Sequence, residues 1–312
     1  MPAFEPILTG TRRPRPTTAP PAAVRRARPS GRVFTRQDYS LYSEANHATW
    51  QYLYHRMERP WDRYANDRFL EGLECLRLKE DRVPRLDDVN AFLAPRTGGC
   101  AQAVSGYVPA FVFLDCLRNR KLPTAVAIRS AGAPDCLSEP DIFHDVAGHV
   151  PMHTERTFTE ALVAFGNCAG TAVDLVRAIR VSAGRLRRVT SIVKAMARFY
   201  WFTFEVGLVR YGDRLKAYGS RLLSSASELE HAMDAAHVQR CDMRLDWVIH
   251  QPFEAASLQP LLFSVESFDH LHELVSTLER WMREGRLDHV AWGHPWLAQS
   301  GLDRHSEACA WR

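Results

Sequence analysis

The sequence predicts a mainly α-helical domain with a small β component, that is, an α+β fold. Apolar residues recur at helical spacing through most of the chain after residue 35. Strand and helix patterns do not alternate in the regular way that builds a doubly wound parallel sheet. The hydrophobic fraction of 46% is ordinary for a globular protein, and a chain of 312 residues can bury a sizeable core. We therefore predict one folded domain over residues 35–312.

The first 34 residues differ in composition from the rest. Pro, Arg, Ala and Thr dominate, and seven arginines accompany one acid, Glu5. Such a segment cannot bury enough surface to offset its ordering entropy, so residues 1–34 are predicted to be a disordered Arg/Pro-rich tail. An organelle transit peptide is the alternative, although five prolines between residues 14 and 29 interrupt any amphipathic helix. The tail carries a charge of +6, whereas the whole chain carries +4, so the remaining residues sum to 4 − 6 = −2. We therefore expect no basic nucleic-acid-binding face on the domain.

Local signals locate the first elements of the domain. Ser43 is a suitable N-cap for a helix that carries Trp50. Pro84 precedes one or two helical turns over residues 86–93. Residues 98–107 contain three glycines around alternating residues, which predicts a loop and a short strand.

Two longer helices are predicted further along the chain. Thr157 and Glu160 match a capping box ahead of a helix that runs to about Val181 and ends at Gly184. A second helix is predicted over residues 190–211, ended by the following glycine.

Cysteine usage and hydropathy bound the cellular setting. Seven cysteines are scattered without a CxxC pair, and no secretory signal segment is evident. This pattern favours free thiols in a reducing compartment, so we expect a cytoplasmic protein. The densest apolar run, residues 199–209, is interrupted by Glu205 and Gly207, and no stretch reaches the roughly 18 apolar residues of a membrane span. No membrane partner is expected.

Two histidines stand five residues apart in the segment Glu139-Pro-Asp-Ile-Phe-His144-Asp-Val-Ala-Gly-His149-Val-Pro151. On a regular helix their side chains would diverge by about 140°. Gly148 is a natural helix stop, which would leave His144 on the last turn and His149 just beyond it. Both imidazoles could then turn to one point.

Glu205 is the only acid in a long apolar helical segment, and no Lys or Arg lies one helical turn away. A buried carboxylate without a partner is unfavourable, so its presence requires a cation or a proton. Two histidines and one carboxylate form the facial triad of non-haem Fe(II) oxygenases. A structural role for His144 and His149, and a distant arginine partner for Glu205, are the alternatives. Spacing does not choose iron over zinc.

Several motifs in the same order resemble the pterin-dependent aromatic amino acid hydroxylases, above all the short bacterial phenylalanine hydroxylases. They are the two-histidine segment above, Tyr200-Trp-Phe-Thr-Phe-Glu205, and Lys216-Ala-Tyr-Gly-Ser-Arg-Leu-Leu-Ser-Ser225. The resemblance covers roughly residues 37–270. It implies a mainly helical catalytic domain that uses Fe(II), a tetrahydropterin and O2 to hydroxylate the ring of an aromatic amino acid, with phenylalanine to tyrosine the leading expectation. Formation of meta-tyrosine and hydroxylation of tryptophan are the alternatives within the family, and a zinc-binding hydrolase or an inactive metal-binding relative is the alternative outside it.

The resemblance also implies roles for individual residues. The iron ligands would be His144, His149 and Glu205. Phe113 would stack on the pterin, and Tyr200 would line the iron and pterin cavity. The substrate-binding positions would be Arg129 for the carboxylate, Asp141 to hold that arginine, and Pro140, Trp201, Ser224, Val206 and Arg221.

Two positions depart from the family pattern. Val206 stands where the family usually has phenylalanine, and Arg221 stands where it usually has glycine. We expect this pair to change how the substrate ring is placed. The alternative is that Arg221 points to solvent and Val206 only repacks the core. The segment after residue 285 lacks a long heptad-bearing helix, so a monomer or a weak dimer is expected.

Overall fold

The computed structural model describes residues 33–290, apart from residues 107, 131, 133–139 and 178–181. The predicted tail up to residue 32, the start of the two-histidine motif at Glu139, and the chain after residue 290 lie outside the described residues. The sequence prediction assigned Val33 and Phe34 to the tail. In the structure Phe34 forms a β-bridge with Val104, and the carbonyl oxygen of Val33 accepts the N–H of Ser105 at 3.2 Å.

The described residues are mainly helical, as predicted. The α-helices are α1 (Glu44–Tyr64), α2 (Asp67–Leu76), α3 (Leu86–Thr97), α4 (Ala110–Arg118), α5 (Arg156–Arg177), α6 (Ser182–Tyr200), α7 (Ala226–Asp234), α8 (Leu245–Val248) and α9 (Phe268–Arg283). The strands are β1 (Cys100–Val104), β2 (Lys121–Ala125), β3 (Leu208–Tyr211), β4 (Arg214–Ala217), β5 (Gln239–Asp242) and β6 (Leu261–Val265). Short 3-10 helices are Tyr39–Leu41, Val150–Thr154 and Leu222–Ser224.

Side-chain caps explain where several helices begin. Ser43 caps α1 as predicted, and it forms a reciprocal capping box with Asn46. Asn66 caps α2, and Ser267 caps α9, each by accepting a backbone N–H one turn into the helix. The predicted segment after Pro84 is α3, and the predicted strand within residues 98–107 is β1.

Two small sheets complete the described fold. β1 and β2 pair in parallel, with Cys100 opposite Lys121. The second sheet has the order β4-β3-β6-β5, in which β3 and β4 form an antiparallel hairpin and the other pairs are parallel. The helices pack around one core of buried apolar side chains, and α5 packs against α4 and α9.

The predicted starts of α5 and α6 were wrong, and the predicted end of α5 at about Val181 lies outside the described residues. Helix α5 begins at Arg156, before the predicted cap at Thr157. The carboxylate of Glu155 accepts the backbone N–H of Phe158 and so caps the helix. Gly184 does not end a helix, because α6 already begins at Ser182. A glycine lowers helix propensity by only about 1 kcal/mol relative to alanine, so it does not by itself stop a helix.

The end of the second predicted helix was also wrong. Helix α6 continues only to Tyr200, a wider helical turn follows over Trp201–Glu205, and the predicted helical residues after it form strand β3. A Cβ at Gly207 would lie 2.1 Å from the carbonyl oxygen of Thr203, so a side chain is excluded where the chain turns from helix to strand. A short apolar run does not distinguish helix from strand by periodicity alone.

Within the described residues, no helix is long and apolar enough to cross a membrane.

Candidate metal centre

Two π-helical turns carry the residues that the sequence proposed as metal ligands. His144 and His149 are the first and last residues of one turn, and Glu205 is the last residue of the other, Trp201–Glu205. In a π-helical turn the N–H of residue i+5 donates to the carbonyl of residue i, so residues five apart lie close to the same face. The imidazole ring centroids of His144 and His149 are 4.9 Å apart. The wider turn therefore brings the two histidines together.

The predicted role of Gly148 as a helix stop was wrong. Gly148 lies inside the π-helical turn, and the chain continues as a 3-10 helix from Val150. A Cβ at Gly148 would lie 2.6 Å from the carbonyl oxygen of Ser220 and 3.1 Å from the Cβ of Ser224. Glycine is required here because the segment Gly219–Ser224, called the serine loop below, packs directly on this turn.

The carboxylate of Glu205 lies beside both imidazoles. Its Oε2 is 3.5 Å from Nε2 of His144, and its Oε1 is 3.7 Å from Nε2 of His149. The three side chains are at most 5% exposed. The hydroxyl of Ser220 in the serine loop lies within hydrogen-bonding distance of two acceptors, the carbonyl oxygen of Phe204 at 3.2 Å and Oε2 of Glu205 at 3.3 Å.

The hydrogen bonds of Ser224 define which nitrogen of His144 carries the proton. The hydroxyl of Ser224 donates to the carbonyl oxygen of Arg221 at 3.2 Å, and it lies 2.9 Å from Nδ1 of His144. With the Ser224 hydrogen directed at the Arg221 carbonyl, Nδ1–H of His144 donates to Ser224 and Nε2 keeps its lone pair, which is the tautomer that a metal ligand needs. Burial lowers the pKa of His144 well below its ordinary value, which also favours the neutral ring. A lone pair therefore faces the Glu205 carboxylate, an arrangement that needs a cation or a proton between them.

A second carboxylate, Asp145, was not singled out from the sequence. Donor atoms of His144, Asp145 and His149 lie within 4.8 Å of one another. Asp145 Oδ1 is 4.0 Å from Nε2 of His144, and Oδ2 accepts the N–H of Ala125 at 2.7 Å. Burial raises the pKa of Asp145 to about 7. Glu205 lies closer to Nε2 of His144 than Asp145 does, and Asp145 is bound to the backbone of β2, so Glu205 is the better ligand candidate.

The donor set fits a divalent transition metal. The imidazoles of His144 and His149 and the carboxylate of Glu205 converge in a buried site, with Asp145 beside them, and the second nitrogen of His144 is held by a hydrogen bond, as is usual for metal-ligating histidines. Three protein ligands would leave positions open on the metal.

Arg129 and Asp141 form a buried pair next to this centre, as the sequence predicted. The Nε and Nη2 of Arg129 donate to Asp141 at 2.9 and 2.8 Å, and the two side chains are 5% exposed. Arg129 also donates from Nη1 to the carbonyl oxygen of Ser224 at 3.2 Å. The charge of Arg129 is therefore buried rather than exposed at the surface.

The predicted aromatic residues lie near the centre in two groups. Phe113 on α4 contacts Tyr200 edge to face, with ring centroids 5.3 Å apart. Trp201 is fully buried and stacks on Phe253 at 4.5 Å, and its indole N–H donates to Gln259. Among the other predicted positions, Val206 is fully buried, whereas Pro140 is partly exposed.

Arg221 does not point to solvent, so that alternative was wrong. Its side chain is 6% exposed, its Nε donates to Glu228 at 2.6 Å, and its guanidinium carbon lies 5.2 Å from the centre of the Trp201 ring. Glu228 was missed from the sequence. Ser225-Ala-Ser-Glu228 reads as a capping box, and Ser225 does cap α7. The sequence therefore marked Glu228 as a helix-capping residue, but in the structure its carboxylate accepts a hydrogen bond from Arg221 instead.

Comparisons with known proteins bear on this arrangement. The family model for biopterin-dependent aromatic amino acid hydroxylases matches residues 39–285. The phenylalanine-4-hydroxylase of Ralstonia nicotianae is 34% identical over 237 residues, which are 76% of this chain and 71% of that protein. The tyrosine 3-monooxygenase of Rattus norvegicus is 33% identical over 248 residues, 77% of this chain and 46% of that protein. The crystal structure of Chromobacterium violaceum phenylalanine hydroxylase with bound oxidized Fe(III) matches with a TM-score of 0.74 and 30% identity, covering 85% of this chain and 94% of that one.

Proposed function

Because the chain belongs to the biopterin-dependent aromatic amino acid hydroxylase family, we propose that it converts phenylalanine to tyrosine with iron(II), a tetrahydropterin and O2. It is a pterin-dependent aromatic amino acid monooxygenase. The observation that carries the proposal is the buried convergence of two imidazole Nε2 atoms on the Glu205 carboxylate. The iron in the Chromobacterium structure supports the choice of metal.

His144, His149 and Glu205 would hold the iron. Ser224 bonds the imidazole of His144 at Nδ1, so this ligand is oriented before a metal binds, and the hydroxyl of Ser220 lies 3.3 Å from the carboxylate of Glu205. When bound, the iron and the tetrahydropterin would supply the activation of O2 and the two electrons that insertion of one oxygen atom into the ring requires. The burial of all three ligands keeps bulk water from the reaction.

Arg129 would bind the carboxylate of the amino acid substrate. A guanidinium suits a carboxylate because its N–H donors match two oxygens in one plane. Asp141 holds the guanidinium through Nε and Nη2, so its position is set before the substrate arrives. Trp201, Ser224, Pro140 and Val206 would surround the substrate ring.

Phe113 would provide the stacking face for the pterin ring. Its edge-to-face contact with the fully buried Tyr200 fixes its orientation. Tyr200 immediately precedes the π-helical turn that carries Glu205, so the pterin and metal positions are supported by one helix.

Product identification tests this function directly. The purified full-length chain is loaded with Fe(II), given a tetrahydropterin and O2, and offered phenylalanine, tyrosine and tryptophan separately. We expect para-tyrosine from phenylalanine, with one pterin oxidised for each tyrosine formed. Meta-tyrosine as the main product, or a hydroxytryptophan alone, would contradict phenylalanine 4-hydroxylation within the same family. Tightly bound zinc with no pterin oxidation would contradict the oxygenase reaction itself.

Two histidine variants make the metal assignment specific. His149→Ala should lose bound iron and hydroxylation together, because a ligand is removed from a three-residue site. His55→Ala is the matched control, since His55 belongs to an exposed His/Glu cluster with Glu58 and Glu80 that could also hold a metal ion. Retention of one iron per chain by His149→Ala, measured by elemental analysis, would refute the assignment of the centre.

A further inference from the structure

The main chain of Arg221 links the two π-helical turns of the candidate metal centre. Its N–H donates to the carbonyl oxygen of Glu205 at 2.9 Å. Its carbonyl oxygen accepts the hydroxyl of Ser224 at 3.2 Å, and Ser224 bonds Nδ1 of His144. One residue therefore connects the turn that carries Glu205 with the hydrogen bond that orients His144.

The side chain of Arg221 is held on two sides. Its Nε donates to the carboxylate of Glu228 at 2.6 Å, and the two side chains are only 6% and 7% exposed. Its guanidinium carbon lies 5.2 Å from the centre of the ring of Trp201, which is itself fully buried. A short charge-assisted hydrogen bond between buried groups strongly restricts the side chain. The main chain at Arg221 is therefore fixed from α7, which carries Glu228, and from the π-helical turn that begins at Trp201.

The direction of the Arg221 carbonyl decides how Ser224 meets His144. The Ser224 hydroxyl has one hydrogen, and its bond to that carbonyl leaves an oxygen lone pair for Nδ1–H of His144. Without this acceptor the hydroxyl could instead donate to Nδ1, and the imidazole proton would then reside on Nε2. Since Nε2 must be free to bind a metal, the change of tautomer would lower the metal affinity.

We propose that Arg221 is a positioning residue whose ion pair with Glu228 raises the affinity of the centre for its metal, acting through the Ser224 hydroxyl. The inference rests on the proposed function, because it takes His144 as an iron ligand. Mutation of a group that bonds a metal-ligating side chain typically costs about 10–100-fold in metal affinity. Because Arg221 lies one hydrogen bond further from the metal, the lower end of that range is expected.

The test uses the full-length chain with Co(II) as the metal probe and compares wild type with Arg221→Met/Glu228→Leu. This double variant removes both charges of the buried pair together, so no unpaired charge remains. Competition with a chelator measures the dissociation constant of Co(II), and the absorption bands of bound Co(II) report the ligand geometry. We expect the affinity to fall about tenfold and the bands to shift. An affinity within about twofold of wild type with unshifted bands would overturn the inference.

The stability of the metal-free chains separates positioning from a structural role. Urea unfolding is measured for wild type and Arg221→Met/Glu228→Leu without metal. A pair that only stabilises the fold would lower the free energy of unfolding and leave the Co(II) affinity and spectrum of the folded chain unchanged. That result would overturn the inference as well.

A mutant cycle with Ser224→Ala tests the route. Ser224→Ala removes the hydroxyl that bonds His144, so it should lower the Co(II) affinity at least as much as the double variant does. Because Arg221 acts through that hydroxyl, the triple variant Arg221→Met/Ser224→Ala/Glu228→Leu should bind Co(II) about as tightly as Ser224→Ala alone. Affinity losses that multiply in the triple variant would show a different route and would contradict the inference.

Arg188→Met/Asp288→Leu is the matched control. Arg188 on α6 and Asp288 form an ion pair at 2.8 Å, with side chains that are 21% and 27% exposed. Among the described residues, no hydrogen bond or ion pair joins these two side chains to the metal centre. Their replacement should leave the Co(II) affinity within about twofold of wild type and the bands unshifted.

Glu228→Gln is a milder second variant. It keeps the side-chain volume and an acceptor oxygen but removes the charge, and charged hydrogen bonds are about twice as strong as neutral ones. The Co(II) bands should therefore shift in the same direction as in the double variant, by a smaller amount. Should the double variant not fold, an unchanged Co(II) spectrum in Glu228→Gln would overturn the inference.

Failure of this inference and failure of the proposed function give different results. If the Co(II) affinity falls in the double variant but iron-loaded wild type hydroxylates no aromatic amino acid, Arg221 has the proposed positioning role and the proposed reaction is wrong. If wild type hydroxylates phenylalanine and the double variant binds Co(II) as wild type does, the reaction stands and the role of Arg221 is wrong.

Discussion

Two buried arginine–carboxylate pairs flank Ser224, and they differ in how fully their hydrogen-bonding groups are used. Asp141 accepts four N–H groups: the backbone N–H, Nε and Nη2 of Arg129, and the backbone N–H of His144. Glu228 accepts one side-chain donor, Nε of Arg221. Side-chain exposure is nearly the same, between 5% and 7% in both pairs, so burial does not account for the difference.

The pKa values of the two carboxyl groups reflect this difference. Burial would raise the pKa of Asp141, but the charge and hydrogen bonds of Arg129 outweigh it, and the pKa of Asp141 is lowered. Burial also raises the pKa of Glu228, and the single contact with Arg221 does not offset it, so that pKa stays above its ordinary value. The comparison separates a saturated pair, in which Asp141 positions Arg129, from an unsaturated pair, in which Glu228 has one side-chain donor among the described residues.

Breaking the saturated pair should have the largest effect on stability. Asp141→Asn leaves the buried guanidinium of Arg129 without its counter-charge, and we expect a loss of about 3–5 kcal/mol in the free energy of unfolding. Urea unfolding of the full-length chain measures it. Asp246→Asn, in the exposed pair with Arg244, is the control and should lose less than about 1 kcal/mol. A loss from Asp141→Asn as small as that of the control would mean that the two pairs are energetically alike.

Replacing each whole pair with apolar residues should sharpen the contrast. Arg221→Met/Glu228→Leu should change the free energy of unfolding by no more than about 2 kcal/mol, because removing both partners of a buried ion pair is often neutral or stabilising. Arg129→Met/Asp141→Leu should be clearly more destabilising, since the backbone N–H groups of Arg129 and His144 lose their acceptor. Equal losses in the two double variants, measured by urea unfolding, would remove the distinction between the pairs.

Features of the fold that depend on neighbouring residues could be predicted from the sequence, and features that depend on distant partners could not. The cap at Ser43 and strand β1 follow from residues close together in the sequence, and both predictions are confirmed. The helix stop at Gly184 and the helical reading of residues 208–211 were wrong. Strand β3 exists because it pairs with β4 and with β6, and β6 lies more than fifty residues further along the chain.

The site was predictable to the extent that its chemistry is local. His144, His149 and Glu205 could be selected because ligand-type residues in apolar segments need a partner, and the structure brings all three together. The backbone that achieves this was not predictable, since π-helical turns have no simple sequence period. The ion pair of Arg221 was not predicted, because its partner Glu228 stands at a helix-capping position and its side chain turns away from that position to form the pair.

The smallest expected effect is a pH dependence carried by Glu228. Its pKa in the folded chain lies above the ordinary value of 4.5, so from pH 4.5 up to the folded-state pKa the native chain binds more protons than the unfolded chain. The contribution of Glu228 to stability is therefore full at low pH and declines as the pH rises through this window. Glu228→Gln cannot ionise, so the stability of wild type relative to this variant should fall as the pH rises and then level off.

Urea unfolding of both proteins at closely spaced pH values from 4.5 to 7 measures this difference. Asp141→Asn provides the comparison, because the pKa of Asp141 lies below 3.8 in the folded chain, and its ionisation does not change across the window. Its stability difference from wild type should therefore stay flat. A flat difference for Glu228→Gln as well would mean that Arg221 holds Glu228 ionised as firmly as Arg129 holds Asp141.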